Sequence, residues 1–138
     1  STTSVDMSRT YLDWLRKNLA RNGLGEQTHR LEQANCLSWL QACKRQYDLV
    51  LLDPPSFSNS KRMDSSFDVQ RDHAELVQAG MDVLREDGVL YFSNNRRGFK
   101  LDASLQQDYD CTDISAKTID PDFQRNRKIH CCWAIRHR

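Results

Sequence analysis

Apolar positions Tyr11, Leu12, Leu15 and Leu19 follow Ser8 at intervals that predict a helix with Ser8 as its N-cap, and Asn22 with Gly23 ends it. Ahead of that helix, Thr2 to Asp6 is short, partly β-branched and closed by an acid, as a strand would be. His29 to Ala34 reads as a modest edge strand, and Leu37, Trp39 and Leu40 sit on a short helix. Tyr47 to Asp53 carries the strongest strand pattern in the chain. From about Asp68 to Arg85, Val69, Leu76, Val77, Gly80, Val83 and Leu84 recur at helical spacing. Gly88 closes the connection that follows, and Val89 to Phe92 form a strand opening into SNNRRG. A weak helix near Ala103 to Gln107, a strand around Tyr109 to Ile119 and a last strand from Ile129 to Ile135 complete the chain.

Strands alternating with helices predict an α/β fold of the Rossmann-like, doubly wound kind, mostly parallel, and two consecutive strands at the end add an antiparallel one. In such sheets ligands gather beyond the carboxyl ends of the strands. That places Asp6, the Asn35 region, Asp53 to Phe57 and Ser93 to Arg97 on the working edge.

A chain of 138 residues with 38% apolar content has room for one domain, residues 1–138. Its apolar runs are strand-sized and its N-terminus has no basic leader, so a cytoplasmic protein that does not enter the membrane is expected. Five cysteines without CxxC spacing read as reduced packing residues, and the neighbours Cys131 and Cys132 cannot share one face of a strand, which argues against a metal site. A net charge of +1 excludes a protein held on nucleic acid by bulk charge alone. The cations nevertheless cluster: Lys61 with Arg62, Arg96 and Arg97 with Lys100, Arg125 with Arg127 and Lys128, and Arg136 with Arg138.

The stretch LVLLDPPSFSNSK concentrates the candidate chemistry. Pro54 and Pro55 remove two backbone donors and stop both strand and helix, so Asp53 is parked at a strand end and a stiff loop presents Ser56, Phe57, Ser58 and Asn59. Phe57 is suited either to stacking on an unstacked base or to anchoring the loop in the core. Asp6, before a helix, is placed to accept from ribose hydroxyls or to face the helix dipole. His73 and His130 read as surface or packing residues.

The segments DPPSFSNSKRM, FDVQRDH, FSNNRRGF and FQRNRKIHCCW resemble, taken together over nearly the whole chain, the C-terminal guanine-N7 module of the bacterial bifunctional 23S ribosomal RNA guanine methyltransferases, within the class I S-adenosylmethionine-dependent methyltransferases. Members of that family carry a first strand and a glycine-rich turn ahead of the segment matched here. The resemblance therefore implies an N-terminally truncated fragment that opens at the second strand, with an interrupted sheet, an upstream methyltransferase module in the full-length chain, and 23S ribosomal RNA as partner.

It further implies S-adenosylmethionine as cofactor, held by Asp6 with Met7, by Asn35 and Cys36 near the adenine, and by Asp53. Asn35 departs from the aspartate usual in related enzymes, and a turn-forming asparagine is the competing reading. Asp53, Pro54, Pro55 and Phe57 are the residues implied for the transfer itself, and Lys61, Arg62, Arg96, Arg97 and Lys100 for RNA phosphates. Phe99 adds stacking or joins the core. Pyrimidine C5 methylation is disfavoured, because the loop SNNRRG has no cysteine to serve as nucleophile. Two other functions stay open: an amino-group methyltransferase of the same fold, and a non-catalytic RNA-binding or assembly module.

Overall fold

The computed structural model describes residues 1–25, 27–59 and 66–138. They fall into two compact units, Ser1–Cys43 and Lys44–Arg138, where the sequence reading expects one domain.

The first unit is a βαβα segment. Strand β1 (Thr2–Asp6) leads into helix α1 (Arg9–Arg21), and strand β2 (His29–Gln33) returns parallel to β1 in the register Thr2↔His29 to Asp6↔Gln33. The Ser8 side chain caps α1 by accepting from the Tyr11 N–H, and Gly23 takes a φ of +68° just past the helix end, which an L side chain resists. Leu12 is buried, with Leu15 and Leu19 half-buried along the same stripe. Tyr11 does not share that face: it is 59% exposed and packs on Trp14 one turn along, 5.8 Å between ring centroids. Its position is one residue, about 100° of helix, away from Leu12. Helix α2 (Cys36–Ala42) is capped by Asn35.

The second unit holds a mixed four-stranded sheet in the order β3-β6-β8-β7, from β3 (Tyr47–Leu52), β6 (Leu84–Asn94), β7 (Asp110–Asp113) and β8 (Cys131–Arg136). β3 and β6 are parallel, and β8 is antiparallel to both β6 and β7. Helix α3 (Val69–Asp82) packs its Val69, His73, Leu76, Val77 and Gly80 face on this sheet, around a core of Leu84, Leu90, Phe92, Leu105 and Ile135. Gly80 is where helix and sheet approach most closely: a Cβ there would lie 2.7 Å from Leu90 Cδ1 and 3.1 Å from Leu52 Cδ1. Val50 and Leu52 of β3 face this core, while Leu49 and Leu51 alternate to the other face and stand 56% and 66% exposed.

Several sequence boundaries move. β6 begins at Leu84 rather than Val89, because Tyr47 already pairs with Leu84 before the register shifts and Leu49 pairs with Val89. Gly88 therefore lies inside a bulged strand instead of ending a connection. The expected strand from Tyr109 to Ile119 stops at Asp113, where the Asp113 carboxylate accepts from the Ser115 N–H and turns the chain into a 3₁₀ turn, Ser115–Lys117. A further 3₁₀ segment, Pro121–Ile129, precedes β8, which runs from Cys131 to Arg136 rather than from Ile129. Helix α4 (Ala103–Asp108) is capped by Asp102. The loop after the two prolines is not free either: β4 (Phe57–Ser58) pairs antiparallel with β5 (Phe67–Asp68).

Candidate functional site

At the end of β3 the register Leu52↔Phe92 makes Asp53 and Ser93 the next neighbours, and the Ser93 hydroxyl donates to Asp53 Oδ1 at 2.6 Å. Asp53 is exposed and Pro54 half-buried, so the acid is held at the strand end from one side and open on the other. Phe57 is 59% exposed: it does not anchor the loop in the core, and its ring is free to meet a ligand.

The loop is instead anchored through its backbone. Val69 N–H donates to Ser56 O at 3.1 Å, and Phe57 pairs with Asp68. Asp68 ties several elements together: it caps α3 through the Gln70 and Arg71 N–H groups at 2.9 and 3.2 Å, and its Oδ2 accepts from Arg96 Nη1 at 2.8 Å. Desolvation opposes the ionised form of this carboxyl, but the Arg96 hydrogen bond, the two backbone donors and the Arg96 charge outweigh it, and its pKa is lowered. The loops after β3 and β6 are thus linked by an ion pair.

Arg96 is consequently engaged within the protein, unlike Arg97 and Lys100, which are exposed. Lys61 and Arg62 lie outside the described residues. Phe99 joins the core edge, with its ring 4.7 Å from that of His73. His73 itself is 1% exposed; its Nδ1–H donates to Val69 O at 2.8 Å, and its Nε2 accepts from the Asp102 N–H at 3.0 Å. It is a packing residue that pins the segment following Arg97. In Asn94, at the end of β6, Oδ1 accepts from the Arg96 N–H while Nδ2 is buried without a hydrogen-bond partner among the described residues.

In the first unit, Asp6 sits half-buried at the end of β1 with Oδ1 accepting from the Ser8 N–H at 2.6 Å. One carboxylate oxygen thus serves the helix start, and Oδ2 has no hydrogen-bond partner among the described residues. Asn35 Oδ1 accepts from the Ser38 N–H at 3.1 Å, which is the capping role its residue type favours. Met7 O accepts from Gln33 Nε2 at 3.1 Å, and Cys36 Sγ donates to Val5 O at 3.4 Å. Burial first, and the Asp6 charge second, push the Cys36 thiol up. Burial likewise raises Cys131 and Cys132, so none of these three is poised as a thiolate nucleophile.

The sequence places Ser93 on the working edge without a role; its role as the brace of Asp53 appears only once β3 and β6 are paired in register.

The order β3-β6-β8-β7, with β8 antiparallel, and a parallel β1–β2 pair give the chain a Rossmann-like α/β fold. A methyltransferase crystallised with S-adenosylhomocysteine shares it at a TM-score of 0.71 and 20% identity, over 98% of this chain and 38% of that one. The chain is also similar to the ribosomal RNA large subunit methyltransferase K/L of Cellvibrio japonicus (strain Ueda107), 61% identical over 136 residues, 99% of this chain and 18% of that protein. The protein of the same name from Pseudomonas syringae pv. tomato is 59% identical over 135 residues, 98% of this chain and again 18% of its own length. The chain thus spans about a fifth of the length of these curated relatives. No family model matches it. Among the described residues no helix is long and apolar enough to cross a membrane, and no group of histidine, cysteine and acidic side chains is arranged to hold a metal ion.

Proposed function

We propose that the chain forms part of an S-adenosylmethionine-dependent methyltransferase acting on guanine in 23S ribosomal RNA, with N7 as the atom methylated, and that an upstream module of the same protein accompanies it. The observation that carries this reading is the acid-Pro-Pro turn ending β3, its Asp53 braced by Ser93 and its Phe57 exposed, in a chain 61% identical to a ribosomal RNA methyltransferase. The residues present fit the cofactor: Asp6, half-buried at a strand end, keeps one carboxylate oxygen without a hydrogen-bond partner among the described residues, suited to a ribose hydroxyl. Asn35, with its oxygen in the helix cap, keeps its NH₂ for an acceptor on the adenine, while Met7 and Cys36 line the same strand ends.

When bound, S-adenosylmethionine supplies both the methyl group and the leaving group. The protein's part is to orient the base and exclude water. Guanine N7, held by these residues, would use its lone pair to accept the methyl group, with the electron pair of the cofactor's C–S bond going to sulfur. No proton has to be removed, and the positive charge that develops on the ring is stabilised by the exposed Asp53 carboxylate. Phe57, exposed at the same turn, contacts the RNA beside the target base, and Arg97 and Lys100, with Lys61 and Arg62, meet RNA phosphates. Arg96 contributes through its pair with Asp68.

The test is turnover with tritiated S-adenosylmethionine in a chain carried to the full length of its relatives. Asp53→Ala and Phe57→Ala are each expected to lower kcat on unmethylated 23S RNA by on the order of 10²-fold, from lost charge stabilisation and lost positioning. Unchanged kcat in both variants would remove the acid-Pro-Pro turn from the mechanism.

A further inference from the structure

A cavity of about 490 Å³ opens between Asn95, just past the end of β6, and the irregular segment that joins β7 to β8. That volume lies in the range of small-ligand sites and accommodates a nucleobase. Ile119 and Ile129 give it apolar wall, and Phe123 lines it with a ring that is 55% exposed. A hydrogen bond of 2.9 Å between Thr118 Oγ1 and His130 Nε2 joins two more of its lining residues.

Asp120 is the charged group of this lining. Elsewhere in this unit, acids at comparable turns bend back onto the backbone: Asp68 onto Gln70, Asp102 onto Ser104, Asp113 onto Ser115. Asp120, at the start of the 3₁₀ segment Pro121–Ile129, makes no capping hydrogen bond and is exposed. Its acceptor oxygens are left for a ligand that donates.

We infer that this cavity is the pocket for the target base, and that it takes guanine, stacked on Phe123 and donating N1–H and N2–H to the Asp120 carboxylate. The inference rests on the guanine methyltransferase reading and deepens it. An ionised carboxylate only accepts. Guanine presents two adjacent donors to it, whereas adenine and cytosine set a ring-nitrogen acceptor beside their amine, and uracil flanks its one N–H with carbonyls. Held by that edge, guanine has its exocyclic amine engaged and N7, on the opposite side of the purine, turned outward. Base reading and choice of methylated atom then follow from one contact. Arg125 and Lys128, exposed on the same segment, supply cations for the flanking phosphates.

The test is a fluorescence-anisotropy titration of the full-length protein, without cofactor, against single-stranded uridine heptanucleotides with a central guanine, inosine or adenine. The wild type is expected to prefer guanine over adenine on the order of tenfold or more, with inosine, which lacks the amine, in between. Asp120→Asn should collapse that preference, and Phe123→Ala should weaken all three oligonucleotides together, as loss of a stacking platform does. Unchanged binding of S-adenosylhomocysteine to both variants controls for folding. The same guanine preference in Asp120→Asn, no preference in the wild type, or no effect of Phe123→Ala would overturn the assignment. An Asp120-dependent guanine preference in a protein that methylates no guanine would leave the pocket standing and sink the proposed reaction.

Discussion

Replacing His73 tests how the functional end of the second unit is held together. The imidazole is 1% exposed, with its centroid 5.9 Å from that of Phe92 and 4.7 Å from that of Phe99. Its Nε2 accepts the Asp102 N–H across 29 residues of chain. His73→Ala empties a ring-sized volume between two phenylalanines, a loss of about 2–3 kcal/mol by analogy with large-to-small core changes. It also strands the Asp102 N–H, for about 1–3 kcal/mol more. The Val69 carbonyl adds little, because a helical backbone N–H still satisfies it. The total is about 3–6 kcal/mol, a large part of the stability expected of a unit of this size.

His73→Leu separates the two contributions: it keeps most of the volume and loses only the acceptor, so about 1–3 kcal/mol is expected. His73→Gln, whose side-chain carbonyl can accept from Asp102, should cost least. Urea unfolding followed by far-UV circular dichroism measures all three, and the expected order of loss is Ala, then Leu, then Gln. The folded His73→Leu protein should keep its methyl-transfer rate well below its melting temperature. A cost under about 1 kcal/mol for His73→Ala, or a His73→Leu protein that is stable but inactive, would refute the packing role assigned to this histidine.

The lowered carboxyl groups of Asp68, Asp72 and Asp102 stabilise the folded state above the ordinary aspartate pKa of 3.8, and that stabilisation is lost as pH falls through their folded values. Urea midpoints should therefore drop below about pH 4, and Asp68→Asn should flatten part of that dependence. Gly88→Ala sets a Cβ 2.9 Å from the Asp48 carbonyl oxygen, where backbone must yield, and should destabilise by about 1–3 kcal/mol in the same assay. Phe57→Ala, at a ring 59% exposed, should leave the melting temperature within a degree or two while lowering turnover. A large stability loss there would mean the ring anchors the loop after all.

Elements whose signals are local were legible from the chain alone. Ser8 caps α1 because its short oxygen reaches a free N–H at a residue whose apolar spacing already marks a helix. Tyr47 to Leu52 was legible because two prolines end it. The spacing Val69, His73, Leu76, Val77 also puts His73 on the buried face, which favours packing over a surface role.

What escaped was decided by distant partners. β6 starts early because Leu84 finds Tyr47, and nothing between Arg85 and Gly88 resembles a strand. β4 and β5 are two residues each, too short for any periodicity. The bond between Ser93 and Asp53 spans 40 residues and exists only in register. Arg96 reads as one more exposed cation until the fold brings Asp68 to it. Asn35 shows the remaining difficulty: one residue type serves a helix cap and a ligand equally well, and the backbone alone reveals that its oxygen is in the cap.

Methyl transfer to guanine N7 is tested most directly by product analysis. The full-length protein would be incubated with labelled S-adenosylmethionine and unmethylated 23S RNA, the RNA digested to nucleosides, and the labelled species identified by chromatography and mass. Label in 7-methylguanosine, lost in Asp53→Ala, is the predicted result. Label in N2-methylguanosine that disappears in the same variant, or label on another base, would contradict it.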